Sequence, residues 1–200
     1  MILILGIAAG WLSGVIRSQI TGKPYRVPEL SKVWLVLIAV IPQLLIFQIP
    51  YTAGWFSDTA AAAVLVISQL LLLVFIWFNR DKVGMCILGL GLILNLLVIL
   101  LNGGLMPIAS ETAAALYPDL PSSYWEIGSR PGRSKNILLQ PEDTRLPLLS
   151  DSILLPEWFP WTRALSPGDL FIVLGVFWLL AVERSAKPAL PEMIPEYCEK

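Results

Sequence analysis

Four long apolar runs fill the first half of the chain, with short polar stretches between them. They cover residues 2–16, 33–49, 60–78 and 83–101. A helix of about 20 apolar residues crosses the hydrocarbon core of a bilayer, and somewhat shorter runs can do so where the bilayer thins. We therefore predict a four-helix transmembrane region over residues 1–101. The first run lacks the basic start and the cleavage site of a signal peptide, so we interpret it as a retained helix.

A fifth apolar run begins after a clearly marked helix start, the sequence SPGD at residues 166–169. Ser166 suits the N-cap and Pro167 suits the first helical position. Asp169 falls at the third position, where its carboxylate can bond back to the cap. We predict a fifth transmembrane helix over residues 166–185.

Residues 102–165 form the one long polar stretch, and their many prolines disfavour long helices. Within this loop we predict a short helix over residues 110–116. The apolar and aromatic segment at residues 153–161 is too short to span a bilayer, so we expect it to lie on the headgroup layer. The tail, residues 186–200, is expected to be disordered because it carries three prolines and few apolar residues.

Basic residues are unevenly distributed among the short connections. Residues 17–32 hold four lysines and arginines and residues 79–82 hold two, whereas residues 50–59 hold none. Cytoplasmic connections carry the excess of such residues, so we predict the N-terminus outside and the C-terminus in the cytoplasm. The expected fold is all-α: a polytopic membrane protein with five transmembrane helices and one long extracytoplasmic, partly interfacial loop.

Composition supports this class and argues against others. Apolar residues make up 56% of the chain, charged residues make up 14%, and the mean hydropathy is +0.71. The net charge of −1 offers no basic surface for nucleic acid. The chain has no histidine and only two cysteines, Cys86 and Cys198. We therefore expect no catalytic residue, no metal site and no cofactor.

Three amide side chains, Gln43, Gln69 and Asn95, lie at similar depths inside the predicted spans. An amide in hydrocarbon needs a hydrogen-bond partner, so we expect these three to bond one another. The alternative is a polar pocket for a lipid or small ligand. No charged residue lies in the apolar core of any predicted span, which argues against an ion-coupled transporter.

Glycines indicate two further features. One face of the first helix carries a glycine at every fourth position, which lets another helix approach closely: Gly6, Gly10 and Gly14. After the fourth run, Asn102, Gly103 and Gly104 are typical of a helix C-terminus, with one glycine at positive φ. The alternative for this turn is an anion-binding concavity formed by free amides.

Charged residues of the long loop are the remaining candidates. Three carboxylates and one arginine could form a site on the outer face: Glu142, Asp143, Asp151 and Arg145. The alternative is structural: Arg145 pairs with Asp143, Asp151 or Asp169 and docks the loop on the helix ends. Three basic residues of the same loop could meet phospholipid headgroups: Arg130, Arg133 and Lys135.

Three motifs occur in the order NGGxMP at residues 102–107, TRLPxLxD at residues 144–151 and SPGD at residues 166–169. With Asn95 in the preceding helix, they resemble a family of small prokaryotic membrane proteins known as domain of unknown function 5317. The resemblance implies a multi-pass protein of a prokaryotic inner or plasma membrane, and it implies no activity. The candidate binding residues are Asn95, Asn102, Gly103, Gly104, Thr144, Arg145, Asp151 and Asp169.

We expect a non-enzymatic membrane protein, an accessory, assembly or scaffold component that acts through helix packing and outer-face loop contacts. Its expected partners are membrane lipids and either another membrane protein or a second copy of the chain. Two alternatives stay open. One is an outer-face enzyme or lipid-binding protein that uses Arg145, Asp143 and Asp151, and the other is a small-molecule transporter. The sequence does not indicate a substrate, a partner's identity or a bound pigment.

Overall fold

The structure is a computed structural model that describes residues 2–53, 55–116, 118, 121, 124–131, 134–156, 159 and 164–182. In chain order its elements are α1 Ile2–Thr21, α2 Trp34–Phe47, α3 Pro50–Ala53, α4 Asp58–Phe78, α5 Val83–Leu101, β1 Met106–Ala109, α6 Ser110–Leu116, β2 Asn136–Leu139, a 3-10 turn at Pro147–Leu149, β3 Ile153–Leu154, β4 Ala164–Leu165 and α7 Pro167–Ala181. The predicted tail, Arg133 and most of the second half of the predicted interfacial segment lie outside the described residues.

The apolar runs predicted from the sequence are helices. The bounds of α5 coincide with the predicted run. Helix α1 extends to Thr21, five residues past its apolar run, because the hydropathy pattern marks only the apolar part of a helix. Helices α1, α4 and α5 are long and apolar enough to cross a membrane. Helices α2 and α7 are apolar but shorter, with 14 and 15 residues.

The five long helices pack in the order α1, α7, α5, α4, α2, so that α7 lies between α1 and α5. Helix α5 is more enclosed than α1 or α4. Half of its most apolar 18-residue stretch is buried, whereas 17% of the corresponding stretch of α1 is buried. The two ends of the row, α1 and α2, each have one principal helical neighbour. They present large apolar side chains outward, among them Trp11, Leu12, Leu37 and Ile38.

The packing contacts also define the helix directions. Gly6 packs on Val173 and Gly10 on Phe177, so α1 and α7 run parallel. A short turn joins α4 to α5, which makes this pair antiparallel. Leu35, at the start of α2, shares a cluster with Phe75 near the end of α4, so these helices are antiparallel as well. The predicted antiparallel pairing of α4 and α5 is therefore observed.

Glycines allow α5 and α7 to approach with their backbones in contact. Gly84 faces Gly175 and Gly91 faces Gly168, so the two helices run antiparallel. A Cβ at Gly84 would lie 2.8 Å from the carbonyl oxygen of Gly175, and a Cβ at Gly175 would lie 2.7 Å from that of Gly84. Small residues at such positions are the usual basis of close helix association in membranes. On the opposite side of α7, the three glycines of α1 are buried.

The long loop covers one end of the helices and contains strands that the sequence analysis did not predict. Strand β1 pairs in parallel with β2, and β3 pairs antiparallel with β4. The predicted short helix is present as α6. Met106 and Leu105 pack on Val98 and Ile99 near the end of α5, and Ile108 forms a second small core with residues of α6 and β2. The loop is thus packed onto the helix ends.

Candidate functional site

Asn95 of α5 bonds to the start of α7. Its Oδ1 accepts a hydrogen bond from Ser166 Oγ at 2.8 Å, and its Nδ2 donates to Asp169 Oδ1 at 3.0 Å. Ser166 and Asp169 also form the predicted capping box, in which each side chain accepts the backbone N–H of the other residue, at 3.1 Å. Asn95 and Ser166 are buried. The start of α7 therefore provides hydrogen-bond partners for two of its own backbone N–H groups and for the Asn95 side-chain amide of α5.

Asn102 holds the TRLP segment against the end of α5. Its Nδ2 donates to the carbonyl oxygens of Val98 at 2.7 Å and Arg145 at 2.9 Å, and its Oδ1 accepts the Arg145 N–H at 2.9 Å. The side chain is 8% exposed, and its oxygen and both of its amide hydrogens have partners. We call this reciprocal arrangement the Asn102 clamp. It joins the first and second sequence motifs through backbone atoms.

Asn79 forms the same arrangement at the opposite end of the α4–α5 hairpin. Its Nδ2 donates to the carbonyl oxygens of Phe75 and Ser31, and its Oδ1 accepts the Ser31 N–H at 2.8 Å. The sequence analysis missed Asn79. The available signal was its position directly after the last apolar residue of a span, the same position that Asn102 occupies.

Gly103 and Gly104 both adopt positive φ, +82° and +89°. The Gly104 N–H donates to the Ile99 carbonyl oxygen at 2.8 Å, which closes the end of α5 as a Schellman-type turn does. A Cβ at Gly104 would lie 2.9 Å from Ala62 Cβ of α4. The turn thus closes α5 and packs against α4.

Asp151 is a buried carboxylate, 2% exposed. Its Oδ2 accepts from Asn136 Nδ2 at 2.7 Å and lies 3.1 Å from Lys135 Nζ, while its N–H donates to the Pro107 carbonyl oxygen at 3.2 Å. Its Oδ1 is buried and has no hydrogen-bond partner among the described residues. Burial raises the pKa of Asp151, the Lys135 ammonium opposes that change, and the charge of Asp169 raises the pKa further.

The expected ion pair of Arg145 with Asp143, Asp151 or Asp169 is wrong. Lys135 is the cation that pairs with Asp151. The Asn102 clamp fixes the backbone of Arg145, while its side chain is exposed and has no ion pair among the described residues. Asp143 is exposed too, and Thr144 Oγ1 donates to the Gln140 carbonyl oxygen at 2.9 Å. Arg145 and Asp143 therefore do not share one accessible groove with the buried Asp151.

The expected hydrogen bonding among the three intramembrane amides is also wrong. Gln43 Nε2 donates to Ser68 Oγ of α4, whereas Asn95 bonds to the start of α7. Gln69 is 8% exposed, and its Oε1 has no hydrogen-bond partner among the described residues. The helix order explains the separation: α2 and α7 lie on opposite sides of the α4–α5 pair.

Two of the three basic residues assigned to lipid headgroups have partners inside the protein. Arg130 Nη1 lies 2.7 Å from Asp58 Oδ1, and the side chain of Arg130 is 3% exposed. Lys135 pairs with Asp151. These cations attach the loop to the bundle and to itself. The buried Arg130 does not reach headgroups, whereas Lys135 is 38% exposed and its contact with headgroups stays a prediction.

These features define a class: a mainly helical membrane protein in which three sequence motifs meet at one end of the helices. The chain belongs to the family of unknown function DUF5317, whose sequence profile matches residues 28–181 and so includes all three motifs. A protein of Thermotoga maritima described as uncharacterized is 32% identical over 110 residues. That match covers 54% of this chain and 56% of the relative, so the chain spans about half the length of the relative. No solved structure matches.

Proposed function

We propose that this protein is a non-enzymatic membrane component, an accessory, assembly or scaffold protein, whose loop forms a rigid cap on the outer ends of its helices. The observation that carries the proposal is that polar side chains of the sequence motifs form their hydrogen bonds within the protein. Asn95, Asn102, Ser166 and Asp169 bond to one another or to backbone inside the protein. An enzyme needs functional groups that face a substrate, whereas these groups hold a fold together.

The proposal includes five transmembrane helices with the N-terminus outside and the C-terminus in the cytoplasm. The helix directions support it, because α1, α4 and α7 run one way and α2 and α5 the other. The Asn79–Ser31 bonds bring together the two connections that carry the basic residues. At 1.5 Å per residue, α2 spans about 21 Å and α7 about 22 Å, so the proposal requires local thinning or polar flanks there.

Cysteine labelling tests the topology. In a background with Cys86→Ala and Cys198→Ala, Glu142→Cys reports on the long loop and Lys23→Cys on the first connection. A thiol reagent that does not cross membranes should label position 142 in intact cells and position 23 only after permeabilisation. Labelling of both positions in intact cells would refute the orientation.

A surface for partners is available at the ends of the helix row. The glycine face of α1 is covered by α7, so it does not serve another protein. The outer faces of α1 and α2 carry Leu12, 54% exposed, and Leu37, 58% exposed, with lipid or a partner as their neighbours.

The test of the accessory role is purification in native lipid with photo-crosslinking residues at Leu12 and Leu37. Leu92, 4% exposed inside the bundle, is the matched control position. We expect one protein, or a second copy of the chain, to be captured from a row end and not from position 92. A clean monomer with no captured protein from either end would count against the proposal.

The two alternatives make different demands on the structure. An outer-face enzyme that uses Arg145, Asp143 and Asp151 needs the loop to open, because Asp151 is buried. A transporter needs a continuous polar path past Gln43, Gln69 and Asn95. Gln43 instead bonds to α4 and Asn95 bonds to α7, on the other side of α5. Lipid binding by Arg145 needs no such rearrangement.

A further inference from the structure

The 3-10 turn after Arg145 presents the most exposed large apolar side chain in the described part of the chain. Leu148 is 84% exposed and Leu146 is 40% exposed. Leu149 of the same turn points inward and packs on the cluster that contains Val98 and Ile99. A single exposed leucine needs no explanation. Two exposed leucines on a turn that is packed against a membrane helix raise the question of whether lipid, water or protein contacts them.

The position of this turn is set by α5. Leu149 packs beside Val98 and Ile99, within the last turn of a helix that ends at Leu101. The Asn102 clamp fixes the backbone of Arg145, the residue before Leu146, next to the end of α5. The final turns of α5 expose Leu97 and Leu101 to the surroundings. The turn therefore lies beside the end of α5, where that helix exposes apolar side chains.

Part of the turn's backbone is paired within the protein, which favours a position near hydrocarbon, because polar backbone groups need partners where water is scarce. The clamp satisfies the N–H and carbonyl of Arg145. The Leu149 N–H donates to the Leu146 carbonyl oxygen at 2.9 Å, and the Ser150 N–H donates to that of Pro147 at 3.1 Å. Pro147 has no N–H to satisfy. Leu146 adopts φ of +55°, a conformation rare for leucine.

We propose that residues 145–149 form a membrane anchor: Leu146 and Leu148 insert into the edge of the acyl-chain region of the outer leaflet, and the Arg145 guanidinium binds a phospholipid phosphate. An arginine beside apolar side chains matches this boundary, because guanidinium forms paired hydrogen bonds with phosphate while the leucines stay in hydrocarbon. The occupant is lipid, because the turn packs through Leu149 on the end of a helix whose last turns expose Leu97 and Leu101. The proposal rests on α5 crossing the membrane in the proposed orientation and does not depend on the accessory role.

Fluorescence quenching tests the leucines. Leu148→Cys and the matched control Glu142→Cys, an exposed position in the same loop, are labelled with the same fluorophore in the cysteine-free background and reconstituted in phosphatidylcholine vesicles. Brominated acyl chains should quench the label at position 148 several-fold more than at position 142, and iodide should do the reverse. Equal quenching by iodide at the two positions would overturn the anchor. Protection of position 148 from both quenchers would overturn it as well, by showing that protein covers the turn.

Lipid retention tests the arginine. Native mass spectrometry of the protein purified from phosphatidylglycerol-containing vesicles should show fewer bound phospholipids for Arg145→Gln than for the natural chain, with partial recovery for Arg145→Lys. Unchanged retention in Arg145→Gln would overturn the phosphate contact. Since partner capture from Leu12 and Leu37 is scored separately, failure here is distinguishable from failure of the accessory role.

Discussion

The close approach of α5 and α7 gives the sharpest prediction. A Cβ at Gly91 would lie 2.8 Å from the Ile172 backbone nitrogen and closer still to the Gly168 carbonyl oxygen. Both obstacles are backbone atoms, so no side chain can rotate away. Gly91→Ala must therefore push the helices apart by a substantial fraction of an ångström.

The expected cost follows from opposing contributions. Replacing glycine by alanine inside a helix stabilises the helix by about 0.8–1 kcal/mol. Overpacking a tight interface costs about 1–3 kcal/mol, and a gap of 0.5–1 Å removes a quarter to a half of the dispersion energy of each separated atom pair. Since α5 and α7 form the most extensive helix contact, we expect a cost near the upper end of that range and, after the helix-propensity gain is subtracted, a net loss of about 2 kcal/mol in the free energy of unfolding.

Gly89→Ala is the matched control on the same helix. Its Cβ would lie 3.1 Å from Ile76 Cγ2, a side-chain atom that can move. This variant should be neutral or stabilised by up to about 1 kcal/mol, because the helix-propensity gain remains. Unfolding in mixed micelles, followed by circular dichroism, measures both variants. Equal stability of Gly91→Ala and Gly89→Ala would refute the backbone contact between α5 and α7.

Three further predictions concern polar contacts, all measured by the same unfolding assay. Asn102→Ala should cost about 2–4 kcal/mol, because it leaves buried backbone groups unpaired, and a cost below about 1 kcal/mol would contradict the clamp. Ser166→Ala should cost more than Ser57→Ala, because Ser166 is buried and bonds a second helix, whereas Ser57 is exposed and caps only its own; the reverse order would contradict this reading. Burial raises the pKa of Asp151 in the folded state, so stability falls as pH rises from about 4 through that pKa. Lys135→Gln removes the opposing charge and should deepen this fall. It should cost almost nothing near pH 4 and about 1–3 kcal/mol near pH 8, which is less than for a fully buried pair because Lys135 is 38% exposed. A cost that does not change with pH would count against the ion pair.

Local features of this protein could be predicted from the sequence. Apolar runs indicated the five long helices, and the run that became α5 had the observed bounds. The capping box at Ser166 and Asp169 and the positive φ after Asn102 followed from residue type and spacing. These features depend on groups within five residues of one another, so the linear pattern contains the information. The end of α1 was less accurate, because hydropathy does not register helical residues that are polar. Helix α2 is shorter than its apolar run, because Val33 and Ile49 are apolar but lie outside the helix.

The identity of long-range partners came only from the tertiary structure. The sequence showed Asn95, Asn102, Arg145 and Asp151 as polar groups in need of partners, but several oppositely charged or amide residues could have served each of them. The folded chain places α7 between α1 and α5, which brings the SPGD turn to Asn95, and it pairs β1 with β2, which brings Lys135 to Asp151. A residue's need for burial or a hydrogen bond is set by its own chemistry, and so the sequence alone determined a set of apolar helices, with a capping box at the start of α7. Which distant residue meets that need depends on helix order and strand register, and these arise only when the whole chain packs.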